Sequence, residues 1–150
     1  MKISIGSDHA GFEYKQALAE MLRSQGHLVI DCGTHSADST DYPLWCIPTA
    51  EKVATGEVEK GIVIGGSGNG EAIAANKVKG IRCSIAWSEE TARLASQHNN
   101  ANVLSIGERM VSLETAKRLV DLWLSTPFEG GRHVRRIEEL ALYEAGLPMQ

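Results

Sequence analysis

Glu71 follows directly on Gly65-Gly66-Ser67-Gly68-Asn69-Gly70, where four glycines and a serine sit behind the apolar run Ile62-Val63-Ile64. Glycines relax the backbone dihedral limits, so several N–H groups of such a loop can turn toward one point, and the helix that opens there adds the positive end of its dipole. The chemistry this offers is an anion hole with a carboxylate at its mouth, a general base beside a stabiliser of developing negative charge. Ser67 and the backbone of Gly66, Gly68, Asn69 and Gly70 are the candidate anion contacts, and Glu71 is the candidate base. That pairing points to isomerisation by proton transfer rather than to plain nucleotide binding. The phosphate-loop lysine is missing, and no dinucleotide fingerprint follows the first strand. Two plainer readings stay open: a tight turn that holds no ligand, and a Glu71 that only favours the first turn of its helix.

Other candidates lie at separate points of the chain. Asp8-His9 follows the first apolar run and precedes a helical pattern, so both side chains face the same ligand zone, unless Asp8 serves only as a helix cap. Arg132-His133-Val134-Arg135-Arg136 places four ionisable nitrogen groups within five residues. Residues four apart share a helix face, so Arg132 and Arg136 could grip one phosphate, although a charged surface turn has the same composition. Arg109 is a further cation after the last strand. Tyr42 is placed to line the cleft, whereas His98, near a helix end, carries little weight by itself. The five histidines, at 9, 27, 35, 98 and 133, show no ligand spacing such as HExxH, which speaks against a metal site.

Positioning these groups requires a scaffold of strands and helices. Ile3 and Ile5 mark a first strand, followed by a helix with Tyr14, Ala17, Leu18, Met21 and Leu22 on its apolar face and Gly26 as its stop. Leu28 to Ile30, Ile62 to Ile64, Ile81 to Ala86 and Val103 to Ile106 supply four more strands. Tyr42 to Val53 reads as a helix that Pro48 either starts or kinks. Ser88 and Ser112 are N-caps of two later helices, the second with a stripe of Leu113, Ala116, Leu119, Val120, Trp123 and Leu124. Residues 134–145 form a last helix. Trp45, Trp87 and Trp123 are expected in the core or at an interface. Repeated strand-then-helix units predict a three-layer α/β/α sandwich around a five-stranded parallel sheet, Rossmann- or flavodoxin-like, with ligand at the carboxyl ends of the strands.

One domain over residues 1–150 is the default for a chain of this length. A hydrophobic fraction of 43% with 23% charged residues describes an ordinary globular protein, and a net charge of −4 argues against a nucleic-acid surface. Cys32, Cys46 and Cys83 have no metal-like spacing and read as reduced thiols of a cytoplasmic protein. The start, MKISIGSDHAG, resembles neither a signal peptide nor a membrane span.

The motifs SDHAGFEYK at 7–15, DCGT at 31–34, TDYP at 40–43, GGSGNGEAIAANK at 65–77, QHNNANVLSIG at 97–107 and GGRHVRRI at 130–137 resemble, in order and along almost the whole chain, the type B ribose-5-phosphate isomerases. That group also contains galactose-6-phosphate and allose-6-phosphate isomerases. The resemblance implies interconversion of D-ribose 5-phosphate and D-ribulose 5-phosphate through a cis-enediolate, without metal or organic cofactor. Many members carry a catalytic cysteine at the position matching Gly65. This chain departs from them and resembles instead the subgroup typical of actinobacteria, in which the glutamate matching Glu71 is the base. The family pattern further assigns ring opening to His98 with help from Asp8, the enediolate oxygens to Ser67, Gly68, Asn69, Gly70 and Asn99, and the phosphate to His9, Arg109, Arg132, His133 and Arg136. It implies a homodimer with sites shared between subunits, paired in some members into tetramers, and places the C-terminal helix near the partner. Alternatives within this frame are another aldose phosphate as substrate, or a phosphosugar-binding module without activity.

Overall fold

The computed structural model describes residues 1–149. Five parallel strands, β1 (Lys2–Ser7), β2 (Leu28–Asp31), β3 (Lys60–Gly65), β4 (Cys83–Ile85) and β5 (Val103–Gly107), form one sheet in the order β2-β1-β3-β5-β4. Between and after them run α1 (Phe12–Ser24), α2 (Pro43–Ala54), α3 (Asn69–Asn76), α4 (Glu89–Gln97), α5 (Leu113–Ser125) and α6 (Arg132–Glu144). The expected three-layer α/β/α sandwich is therefore the architecture observed.

Alternation along the strands divides the interior in two, because successive strand side chains point to opposite faces. Ile3, Ile5, Ile62, Ile64, Leu104 and Ile106 pack with Leu18, Leu22, Leu119 and Trp123 on the side of α1, α4 and α5. Val63 and Val103 pack with Cys46, Ala50, Val53, Ala74 and Ala75 on the side of α2 and α3. The strands are covered on both faces, which explains their unbroken apolar runs. Ser88 caps α4 in a capping box with Thr91, and Ser112 accepts from Thr115 N–H at the head of α5. Among the described residues no helix is long and apolar enough to cross a membrane.

Several sequence expectations need correction. Residues Ile81 to Ala86 contain only a three-residue strand; Ile81 is buried before β4 begins. α2 starts at Pro43, where a missing N–H is harmless, and Pro48 lies inside the helix. Of the tryptophans expected in the core or at an interface, Trp123 is fully buried, whereas Trp87 is 62% exposed, which leaves only the interface alternative for it. On α1 the buried set includes Lys15, whose ammonium contacts the Asp31 carboxylate at 2.5 Å at the end of β2. A charged residue on an apolar stripe was invisible to the periodicity because its partner lies on another element. α6 opens at Arg132, two residues early, which puts the basic cluster in its first turn.

Candidate active site

Two adjacent parallel strands whose following connections run to opposite sides of the sheet create a crevice at their carboxyl ends where a ligand can enter, and here β1 and β3 are those strands. After β1, Asp8 accepts hydrogen bonds from Ala10 N–H at 2.9 Å and Gly11 N–H at 3.2 Å, capping a single 3-10 turn. The capping reading of Asp8 is thus correct, yet the same residue lines the cleft. After β3, the glycine loop turns through Gly68, whose φ of 87° is left-handed backbone that favours glycine, and enters α3. Ser105 Oγ on β5 donates to Gly68 O at 2.7 Å, and Glu108 and Arg109 N–H donate to Gly65 and Gly66 O. The loops after β3 and β5 are therefore fastened together.

Glu71 does not simply decorate the first turn of α3. It is 4% exposed, and its Oε2 has no hydrogen-bond partner among the described residues. Gly65 explains where the carboxylate goes: a Cβ built on residue 65 would lie 1.8 Å from Glu71 Oε1 and 2.1 Å from its Cδ. The glutamate head group occupies the space that any side chain at 65 would need. Burial raises the Glu71 pKa, the backbone N–H of Glu71 partly offsets this, Asp8 adds a further upward push, and the Gly68 backbone opposes it. An acceptor left unpaired in the interior costs about 1–3 kcal/mol, the kind of cost that persists where a group has work to do.

The rest of the cleft, about 350 Å³, is lined by Asp8, His9, Tyr42, Gly66, Ser67, Gly70, Glu71, Arg109 and Met110. His9 Nδ1 lies 3.2 Å from both the N and the O of Thr40. Tyr42 lies against Gly70, and the Arg109 guanidinium against Gly66. Asn69 N–H donates to Ser67 Oγ at 3.2 Å, so one of the expected anion donors is already engaged within the loop. Polar groups of three strand ends thus converge on a volume suited to a small phosphorylated ligand. The thiols cannot compete as bases: burial, aided by Glu71, pushes Cys83 up to about 12 and Cys46 higher still, and burial also raises Cys32.

His98, Asn99, Arg132, His133 and Arg136 are not in that cleft. His98 ends α4, just before residues that meet the start of β5, and Asn102 O accepts from Gly61 N–H at the start of β3. This is the amino-terminal edge of the sheet, opposite the edge that carries Glu71. There the His98 and His133 rings stack with centroids 4.4 Å apart, and both Nε2 atoms lie 3.9 Å from Glu129 Oε2. His133 is buried, with its pKa lowered by burial and then by His98, Arg132 and Arg136. Arg132 and Arg136 are exposed, and Asn99 borders a groove beside α6. Glu129 escaped the sequence reading; its i, i+4 spacing to His133 was the available signal.

The sequence matches the Ribose/Galactose Isomerase family over residues 3–140. It is 51% identical to ribose-5-phosphate isomerase B of Mycolicibacterium paratuberculosis over 146 residues, covering 96% of this chain and 92% of the relative. The fold superposes on ribose-5-phosphate isomerase B of Clostridium thermocellum with a TM-score of 0.95 at 46% identity, over 97% of this chain and 99% of the other. It also superposes on the Mycoplasma genitalium ribose-5-phosphate isomerase B with bound ribulose-5-phosphate, with a TM-score of 0.93 at 42% identity, over 96% of each.

Proposed function

The chain belongs to the ribose/galactose isomerase family, in its ribose-5-phosphate isomerase B branch, and we propose that it interconverts D-ribose 5-phosphate and D-ribulose 5-phosphate with Glu71 as the base. The observation that carries the reading is the buried Glu71 carboxylate lodged in the space left by Gly65, beside the glycine loop. The family resemblance implies a catalytic cysteine at the position of Gly65 in many members. In this chain that position has no room for a side chain while Glu71 holds its place, so the two solutions exclude one another.

In the proposed reaction Glu71 removes the proton from C2 of the open-chain aldose. The electron pair moves into a cis-enediolate, the hydroxyl proton passes from O2 to O1, and the same carboxylic acid returns the carbon-bound proton to C1 as the C2 carbonyl forms, giving the ketose. Ser67 and loop N–H groups, with Asn99, hold the oxygens as charge develops, and His9, Arg109, Arg132, His133 and Arg136 hold the phosphate. His98, assisted by Asp8, moves the proton that opens the furanose ring. Tyr42 closes one wall of the cleft. A carboxylate with a raised pKa is a stronger base than an ordinary one, which suits abstraction of a weakly acidic C–H proton.

His98 and the C-terminal cations serve this reaction only if a second chain brings them to the cleft. Strands of five or six residues, rising about 3.3 Å per residue, separate them from Glu71 of their own chain. Exposed apolar side chains support a homodimer with shared sites: Leu140 and Tyr143 on α6, 54% and 71% exposed, and Ile73 on α3, 59% exposed. α6 would then pack near the partner, and further pairing would give a tetramer.

Incubation of the purified chain with ribose 5-phosphate in deuterated water tests the reading. Ketose formation with deuterium incorporation at carbon is expected. A panel of four-, five- and six-carbon aldose phosphates separates the five-carbon substrate from its six-carbon rivals, and saturable binding without turnover or exchange would leave only a binding module.

A further inference from the structure

His98, Glu129 and His133 come from three elements: the end of α4, the connection before α6 and the first turn of α6. Glu129 N–H donates to Gln97 O at 3.1 Å, which holds the connection against the end of α4. One ligand atom from each side chain lies within 4.8 Å of the other two, and both histidines turn Nε2 toward the same carboxylate oxygen. The His133 side chain is 7% exposed, and its Nε2 has no hydrogen-bond partner among the described residues. A buried, unpaired imidazole nitrogen facing a second imidazole and a carboxylate is a set of donors lacking a common acceptor of electron pairs.

We propose that His98, Glu129 and His133 bind one divalent transition-metal ion, best matched by Zn²⁺, and that its occupation inhibits the protein. Two imidazoles and one carboxylate form a set that zinc takes with a fourth position open, and imidazole favours zinc over magnesium or calcium. Tetrahedral ligands about 2.0–2.2 Å from zinc lie about 3.4 Å apart, so the exposed Glu129 side chain closes its 3.9 Å separations by a few tenths of an ångström and the more exposed His98 ring swings out of its stack with His133 until both Nε2 lone pairs meet one point. The inhibitory part rests on the proposed isomerase reading, in which the metal would occupy the nitrogens used for ring opening and for the phosphate.

Metal-free full-length protein is titrated with Co²⁺ and Zn²⁺, by visible absorption and calorimetry, alongside Glu129→Gln. One metal per chain is expected, with tetrahedral cobalt bands that zinc displaces. Glu129→Gln should weaken binding at least about tenfold while leaving metal-free turnover and thermal stability close to wild type, and zinc inhibition should weaken in parallel. Equal affinity in Glu129→Gln, absence of cobalt bands at stoichiometric metal, or a thiolate-to-cobalt charge-transfer band implicating the cysteines would overturn the site. Metal binding as expected in a protein that does not isomerise would reject the isomerase reading and keep the site. Full activity with zinc bound would reject the inhibitory claim.

Discussion

The Glu71 cleft and the His98–His133 cluster lie at opposite edges of the same sheet and are built in opposite ways. Around Glu71 the framework is dense: strand ends, two loops fastened by backbone hydrogen bonds, and a carboxylate filling a space that one missing Cβ creates. Around His133 only the ring itself is buried, on a helix whose apolar residues Leu140 and Tyr143 face outward. The first region brings the proposed base and its loop together within one chain. In the proposed reading the second is a half-site, the part of the chemistry that would depend on a second copy.

Replacing Glu71 strikes the complete half. Glu71→Gln keeps the shape and removes the base, so turnover should fall by about 10²–10⁴-fold while substrate binding measured by calorimetry stays near wild type. Turnover near wild type would transfer the base to another residue.

Gly65→Ala asks whether the space itself matters. The added methyl meets the flexible end of Glu71 rather than backbone, so the fold should survive while the carboxylate is displaced, lowering kcat by about 10²-fold with little change in melting temperature. An active Gly65→Ala variant would mean that the buried pose is not the working one.

Mixing tests the half-site. Glu71→Gln and His98→Asn chains, each nearly inactive alone, should regain about one quarter of wild-type activity after random reassociation, because each hybrid dimer rebuilds one intact shared site. No recovery despite verified hybrids would confine each site to one chain.

The smallest expected effect is on stability. The folded state raises the Glu71 pKa, so the stability this group contributes is fully present below the unfolded value, that of an ordinary carboxylic acid, and is lost as pH rises through the folded value. At neutral pH the buried charge is a net cost. Glu71→Gln should therefore melt higher than wild type at pH 7, and the gap should shrink toward pH 4, as differential scanning calorimetry would show. In the wild type the acidic limb of kcat should lie above the ordinary carboxylate range.

The residues legible from sequence were those whose constraint is local. Ser88 and Ser112 announced helix starts because a cap and its N–H partner are three residues apart. The glycine loop announced itself because left-handed backbone favours glycine. The burial of Lys15 was not legible, because its partner Asp31 lies sixteen residues away on a neighbouring strand. Glu71 was recognised as a candidate by its neighbours, but its burial was not, since the decisive fact is a side chain that Gly65 does not have.

By itself the amino-acid order determined the alternation of strands and helices, the parallel sheet and the chemical types at the strand ends, because hydrophobic period, capping and backbone freedom act over a few residues. Only tertiary structure decided that Asp8, Glu71 and Arg109 share a cleft, that His98 and His133 stack beside Glu129, and that these groups face opposite edges. Those placements depend on how the helices pack against the sheet, and the free energy of that packing is a property of residues remote in sequence.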